Sequence, residues 1–174
     1  MAEDAPPAAA PPKNRNPYGE DAPEAFSPLA AYDGAEPPAP EWFRLALDRA
    51  PEESIVSTPR GNLELLTWGE IGKPGLLLIH GNGSHARWWA FVAPFLADDF
   101  RVAAFSLAGH GGSDWRDSYS ALDMGRDAEA CARAAGLYES GAPPIYIGHS
   151  LGGAMTFCVA EAMPELMRAA VLMD

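Results

Sequence analysis

Cysteine is scarce in this chain of 174 residues: there are two, Cys131 and Cys158, with no CxxC pair and no histidine at metal-ligand spacing. That argues against a disulfide or a thiolate metal site and for two buried thiols inside predicted helices; no metal or cofactor is expected. Basic residues are also few, 12 Lys and Arg against 24 Asp and Glu, for a net charge of −12 with no positive cluster. Such a surface repels a phosphate backbone, so nucleic acid is not an expected partner. No run approaches the ~18 apolar residues of a membrane span. The first 20 residues carry Glu3, Asp4 and prolines where a secretory leader has a basic start and an apolar centre. The expected location is the cytoplasm, without a membrane partner. What is present is ordinary globular material, 48% hydrophobic and 10% aromatic.

That material is unevenly spread. Residues 1–40 hold ten of the 17 prolines and eleven alanines, with only Tyr18, Phe26 and Tyr32 as aromatics and no apolar periodicity. Such a stretch buries too little surface to offset its ordering entropy, so 1–40 reads as a disordered Pro/Ala-rich extension and 41–174 as the domain. From Glu41 the sequence EWFRLALDRA has helical spacing and stops before Pro51, and SIVSTPRGNLELLTWGE reads as two strands around Pro59-Arg60-Gly61-Asn62. Strands and helices then alternate. Leu76–Ile79, Arg101–Phe105, Ile145–Ile147 and Ala169–Met173 are apolar strand runs. Trp88–Leu96, with Pro94 starting or kinking it, Leu122–Ala135 and Leu151–Met163 are helix-like. The fold class is therefore α/β, a mostly parallel sheet with helices on both faces.

Three glycine-rich loops follow predicted strands. Gly148-His149-Ser150-Leu151-Gly152 fits G-x-S-x-G, in which the serine occupies a strained turn between strand and helix, and a side chain at either glycine would clash. The following helix start directs N–H groups at charge developing on Ser150. His80-Gly81-Asn82-Gly83 lies at a strand's C-terminal end, where a backbone N–H approaches a substrate carbonyl; the N–H groups of Asn82 and Leu151 then form a two-donor oxyanion hole. His80 itself reads as a structural histidine. In Gly109-His110-Gly111-Gly112-Ser113-Asp114 the Ser, His and Asp are too close in sequence to converge on Ser150, and Asp114 reads as a turn brace. Trp88 and Trp89 wall an apolar substrate pocket or are simply core.

LLLIHGNGS, RVAAFSLAGHGGSD and IYIGHSLGGAM, in this order, resemble the α/β-hydrolase superfamily over roughly Trp42 to Asp174. The resemblance implies a sheet carrying Ser150 on the elbow after the fifth strand and an oxyanion hole at Asn82 and Leu151. Members that open epoxides or haloalkanes carry aspartate at the elbow, so Ser150 points to acyl transfer to water. In the family the order is nucleophile, acid, histidine, with the acid after the seventh or less often the sixth strand and the histidine after the eighth. All four histidines here, His80, His85, His110 and His149, precede Ser150.

The expectation is therefore the N-terminal part of a serine hydrolase, truncated after about the sixth strand. It would act on esters, thioesters, amides or activated C–C bonds of a small-molecule acyl substrate, and be nearly inactive alone. Asp174 is a candidate acid, set against a plain strand-end aspartate. The same machinery serves acyltransferases and cofactor-free perhydrolases, and a non-catalytic binding module of this fold is the alternative outside enzymology. The last strand is expected to present an open apolar edge. Oligomeric state and substrate identity are not legible in the sequence.

Overall fold

A short apolar run covered on both faces becomes a strand only if helices on either side exclude water from it, and that logic organises the computed structural model of the protein, which describes residues 32–174. The expectation of disorder over 1–40 falls, up to residue 31, outside the described residues. The chain divides at Ala39/Pro40 into two compact units. In the first, Tyr32 to Ala35 make a turn closed by Ala35 N–H to the Tyr32 carbonyl at 2.7 Å.

The second unit, Pro40–Asp174, contains a six-stranded sheet in the order β1-β2-β4-β3-β5-β6. Its strands are β1 (Glu52–Thr58), β2 (Gly61–Trp68), β3 (Gly75–Ile79), β4 (Arg101–Phe105), β5 (Ile145–His149) and β6 (Ala169–Met173). The β1–β2 hairpin is antiparallel and β2 runs antiparallel to β4, whereas β3, β4, β5 and β6 are mutually parallel. The helices are α1 (Glu41–Asp48), α2 (Ala93–Leu96), α3 (Ala121–Ala134) and α4 (Leu151–Ala162).

Strand alternation sends side chains to two cores. Leu63 and Leu65 of β2, Leu77 and Ile79 of β3, and Ala103 and Phe105 of β4 meet Ala128 and Cys131 of α3 and Met155 and Val159 of α4. Leu66, Trp68, Leu76, Leu78, Val102 and Ala104 face the other way, onto Ala86, Trp89 and Ala93. Local signals set the helix ends: Ser120 caps α3 by accepting the Asp123 N–H at 3.1 Å, and Gly136, at φ +72°, takes the chain out beyond it.

The predicted helix over Trp88–Leu96 is corrected. The segment splits into a 3₁₀ turn, Ala86–Trp89, and the single α-helical turn of α2, because Pro94 has no N–H and its ring would clash with the carbonyl of Ala90 if the helix ran through. Pro94 instead sits in the opening turn of α2. Strand β5 runs two residues further than its apolar stretch, to His149, because Gly148 and His149 pair with Leu172 and Met173. No helix among the described residues is long and apolar enough to cross a membrane.

Candidate active site

His80, Ser106 and Ser150 each follow the C-terminal end of a parallel strand, so the three glycine-rich loops gather at one edge of the sheet. In an open α/β sheet ligands bind in the crevice outside that edge.

Ser150 stands on the turn between β5 and α4 with φ 50° and ψ −114°, a backbone conformation that L-residues avoid. Its N–H donates to the Met173 carbonyl at 2.8 Å, which ties the turn to the end of β6. The flanking glycines are sterically required. A Cβ on Gly148 would overlap the Gly152 carbonyl and stand 2.5 Å from Thr156 Oγ1, and one on Gly152 would overlap the Ile79 carbonyl and lie 2.6 Å from that of His80. The side chain of Ser150 is exposed, at the N-terminus of α4.

The β3 loop runs against this elbow. A Cβ on Gly81 would be 2.8 Å from Nδ1 of His149 and 3.2 Å from Cβ of Ser150. Asn82, next in the chain, is exposed, and among the described residues its N–H has no backbone acceptor, whereas Ser84 N–H closes the loop onto the Gly81 carbonyl at 3.3 Å. Leu151 is the first residue of α4, where an N–H has no intrahelical partner.

None of the four histidines is hydrogen-bonded to Ser150 among the described residues. His80 is fully buried; its Nε2 accepts the Leu107 N–H at 2.9 Å, so its proton sits on Nδ1, which donates to the Gly81 carbonyl at 2.7 Å. Burial pushes its pKa down to about 4, more than the hydrogen bond to Gly81 raises it. His110 packs on His80 with ring centroids 5.2 Å apart. His149 stacks on Trp88, 4.8 Å between centroids and 20° between planes, and His85 is exposed.

The two tryptophans, read from the sequence as pocket wall or core, part company. Trp89 is 3% exposed and belongs to the core beside Ala86 and Ala93, with its Nε1 unpartnered. Trp88 remains at the surface, against His149. Asp114 braces its loop: its carboxylate accepts the Asn62 N–H at 2.8 Å, and backbone bonds run from Asp114 N–H to Asn62 and from Gly109 N–H to Asp114.

Beside the elbow lies a hollow of about 430 Å³ lined by Ser150, Phe157, Cys158, Leu172, Met173 and Asp174. Asp174 thus shares a cavity with Ser150, without a hydrogen bond between them among the described residues.

Sequence reasoning missed a polar knot under the loops. Glu64 of β2 accepts Ser106 Oγ at 2.5 Å and the Gly112 N–H at 3.1 Å, and Ser106 Oγ accepts the Ala86 N–H at 2.9 Å. Burial raises the Glu64 pKa, but the hydrogen bonds from Ser106 and Gly112 with the charge of Arg87 outweigh it and hold the carboxyl below its ordinary value. Its partners lie up to 48 residues away in sequence, so no local pattern signals them. Among the described residues no group of three or more His, Cys, Asp or Glu side chains is placed to hold a metal ion.

Comparison with known proteins bears on this geometry. A family model described as alpha/beta hydrolase fold matches residues 74–174. Lipase LipV of Mycobacterium tuberculosis is 36% identical over 114 residues, 65% of this chain and 41% of the lipase. The dihydrolipoyllysine-residue acetyltransferase component of the acetoin cleaving system of Pseudomonas putida is 37% identical over 106 residues, 58% of this chain and 27% of that protein. In three dimensions, epoxide hydrolase A from Mycobacterium thermoresistibile superposes with a TM-score of 0.64 at 27% identity, covering 70% of this chain and 38% of that one. The chain thus spans less than half the length of each.

Proposed function

The chain belongs to the α/β-hydrolase fold family, and on that footing we propose that it carries the nucleophile half of a serine hydrolase acting on esters, thioesters, amides or activated C–C bonds. The observation that carries the proposal is the backbone of Ser150, φ 50° and ψ −114°, at the head of α4 between glycines that admit no Cβ. Strain of this kind costs ~1–3 kcal/mol, and a fold keeps it where it aims a side chain at a substrate.

In the proposed reaction Ser150 Oγ attacks the acyl carbon while a base takes its proton. The N–H groups of Asn82 and Leu151 hold the resulting oxyanion, the base returns the proton to the leaving group, and water then releases the acyl group by the same steps. A serine rather than an aspartate at the elbow supports acyl chemistry over epoxide opening. The likeness to the acetyltransferase component favours a second reading, in which an acceptor other than water takes the acyl group.

The base is the unassigned part. His80 has both ring nitrogens engaged and His149 is stacked on Trp88, so we propose that a histidine outside residues 1–174 takes the proton. Loss of the base from such a triad costs turnover on the order of 10⁶. The test is to sequence the gene past the codon for Asp174 and to label this chain and any longer product with a fluorophosphonate, with Ser150→Ala as control. Labelling of only the longer product, lost in Ser150→Ala, is expected. Labelling that survives Ser150→Ala would overturn the nucleophile, and strong labelling of the 174-residue chain would overturn the proposed source of the base.

A further inference from the structure

A second hollow adjoins the elbow on the neighbouring face of α4, and Asp174 is not in its lining. Residues Leu151, Ala154, Met155 and Cys158 recur at helical spacing along one face of α4, and Tyr119 with Met124 at the start of α3 closes the space. The hollow has a volume of about 260 Å³ and no charged side chain in its lining. It shares lining residues with the site at both ends. Ala154 and Cys158 also line the hollow that holds Ser150, and Tyr119 and Met124 also line a depression that holds Asn82 and His110.

An apolar trough that begins at Leu151, the residue after Ser150, suits an apolar occupant. Water held there finds few polar partners, so an alkyl chain that displaces it gains the full transfer free energy of its methylenes. The absence of Lys and Arg from the lining, together with Asp174 nearby, disfavours an anionic chain end.

We infer that the hollow between α3 and α4 binds the unbranched apolar acyl chain of a neutral substrate whose carbonyl lies at Ser150. Tyr119, Met124 and Met155 then set the preferred chain length. The inference rests on the serine-hydrolase reading for the position of the carbonyl, while the trough itself is a property of α3 and α4. Methionine suits this role, because its unbranched, polarizable side chain adapts to chains of slightly different length.

Cys158 supplies a readout that needs no turnover. Cys131 is fully buried, and burial pushes its thiol pKa far up, so Cys158, half-buried at the rim, is the thiol that a reagent in water reaches. The experiment measures iodoacetamide alkylation of Cys158 by intact mass in the 174-residue chain, with Cys158→Ser as control. Linear methyl ketones from 2-butanone to 2-decanone serve as non-hydrolysable carbonyl probes.

The concentration giving half-protection is expected to fall about fourfold per added methylene until the hollow is filled. Ala121→Trp and Ala154→Trp, at exposed rim positions where a large side chain is accommodated, should each abolish that gain relative to their own unprotected rate. A flat response to chain length, or a gain that persists in both tryptophan variants, would overturn the inference. Protection should survive in Ser150→Ala. If it does while the parent chain and any longer product fail to label with fluorophosphonate, the trough stands and the serine chemistry falls; if Ser150 labels but chain length has no effect, the trough alone falls.

Discussion

The Leu107 N–H donates to Nε2 of His80 at 2.9 Å, joining the loop after β4 to the loop after β3 through one buried imidazole. With Nδ1 donating to the Gly81 carbonyl, the ring is held as a single neutral tautomer. The histidine nearest the G-N-G loop is therefore a strut under the site.

Because that strut works only when neutral, it makes stability depend on acid. Its folded pKa is pushed down to about 4 from the usual 6.5. The unfolded chain binds the extra proton first, so the contribution is fully present above about pH 6.5 and is lost as pH falls through 4. The shift corresponds to about 3 kcal/mol. Denaturant midpoints from pH 7.5 to pH 4 should fall more steeply for the parent protein than for His80→Gln. Parallel slopes would show that the imidazole is not held neutral.

Relief of strain at the elbow should separate stability from chemistry. Ser150→Gly removes the Cβ from a positive-φ position that costs ~1–3 kcal/mol, offset in part by the greater freedom of glycine in the unfolded chain. A net gain of about 1 kcal/mol in thermal or denaturant unfolding is expected, with fluorophosphonate labelling abolished. Destabilisation by this change would argue against strain.

Arg116 and Asp127 form a buried two-pronged pair at 2.6 and 3.1 Å, each side chain 5% exposed, and Arg116 Nε also donates to the Arg60 carbonyl at 2.9 Å. The pair pins the loop before α3 to both α3 and the β1–β2 hairpin. Asp127→Ala strands a buried guanidinium and should cost ~3–5 kcal/mol, whereas the double change Arg116→Met with Asp127→Leu should recover much of it. A double-mutant cycle on urea midpoints measures the difference.

The two edges of the sheet are protected unequally. β1 carries Glu52 and Glu53, the latter paired with Arg87 at 2.6 Å, while β6 exposes Val171, Leu172 and Met173 by 44%, 52% and 42%. An apolar strand edge templates further pairing. The 174-residue chain should sediment with a mass that rises with concentration, and Val171→Lys should return it toward monomer. A monodisperse monomer at high concentration would show that the edge is inert.

Local sequence decided a good deal of this protein. Apolar runs bounded by turn residues located β4 at Arg101–Phe105 and β6 at Ala169–Met173, the helical pattern over Leu122–Ala135 located most of α3, and the elbow glycines announced the strained serine. These depend on backbone sterics and neighbours within a few positions, which is the range over which a sequence is legible by itself. Only the tertiary structure decided that His80 spends its nitrogens on Gly81 and Leu107, that Glu64 gathers Ser106 and Gly112, that Trp89 goes to the core while Trp88 stays on His149, and that α3 and α4 leave an apolar trough beside Ser150. Each of the last three joins segments brought together by the strand order β1-β2-β4-β3-β5-β6 and by the helices packed on it. That order minimises the free energy of the whole buried core, so no short window of sequence contains it.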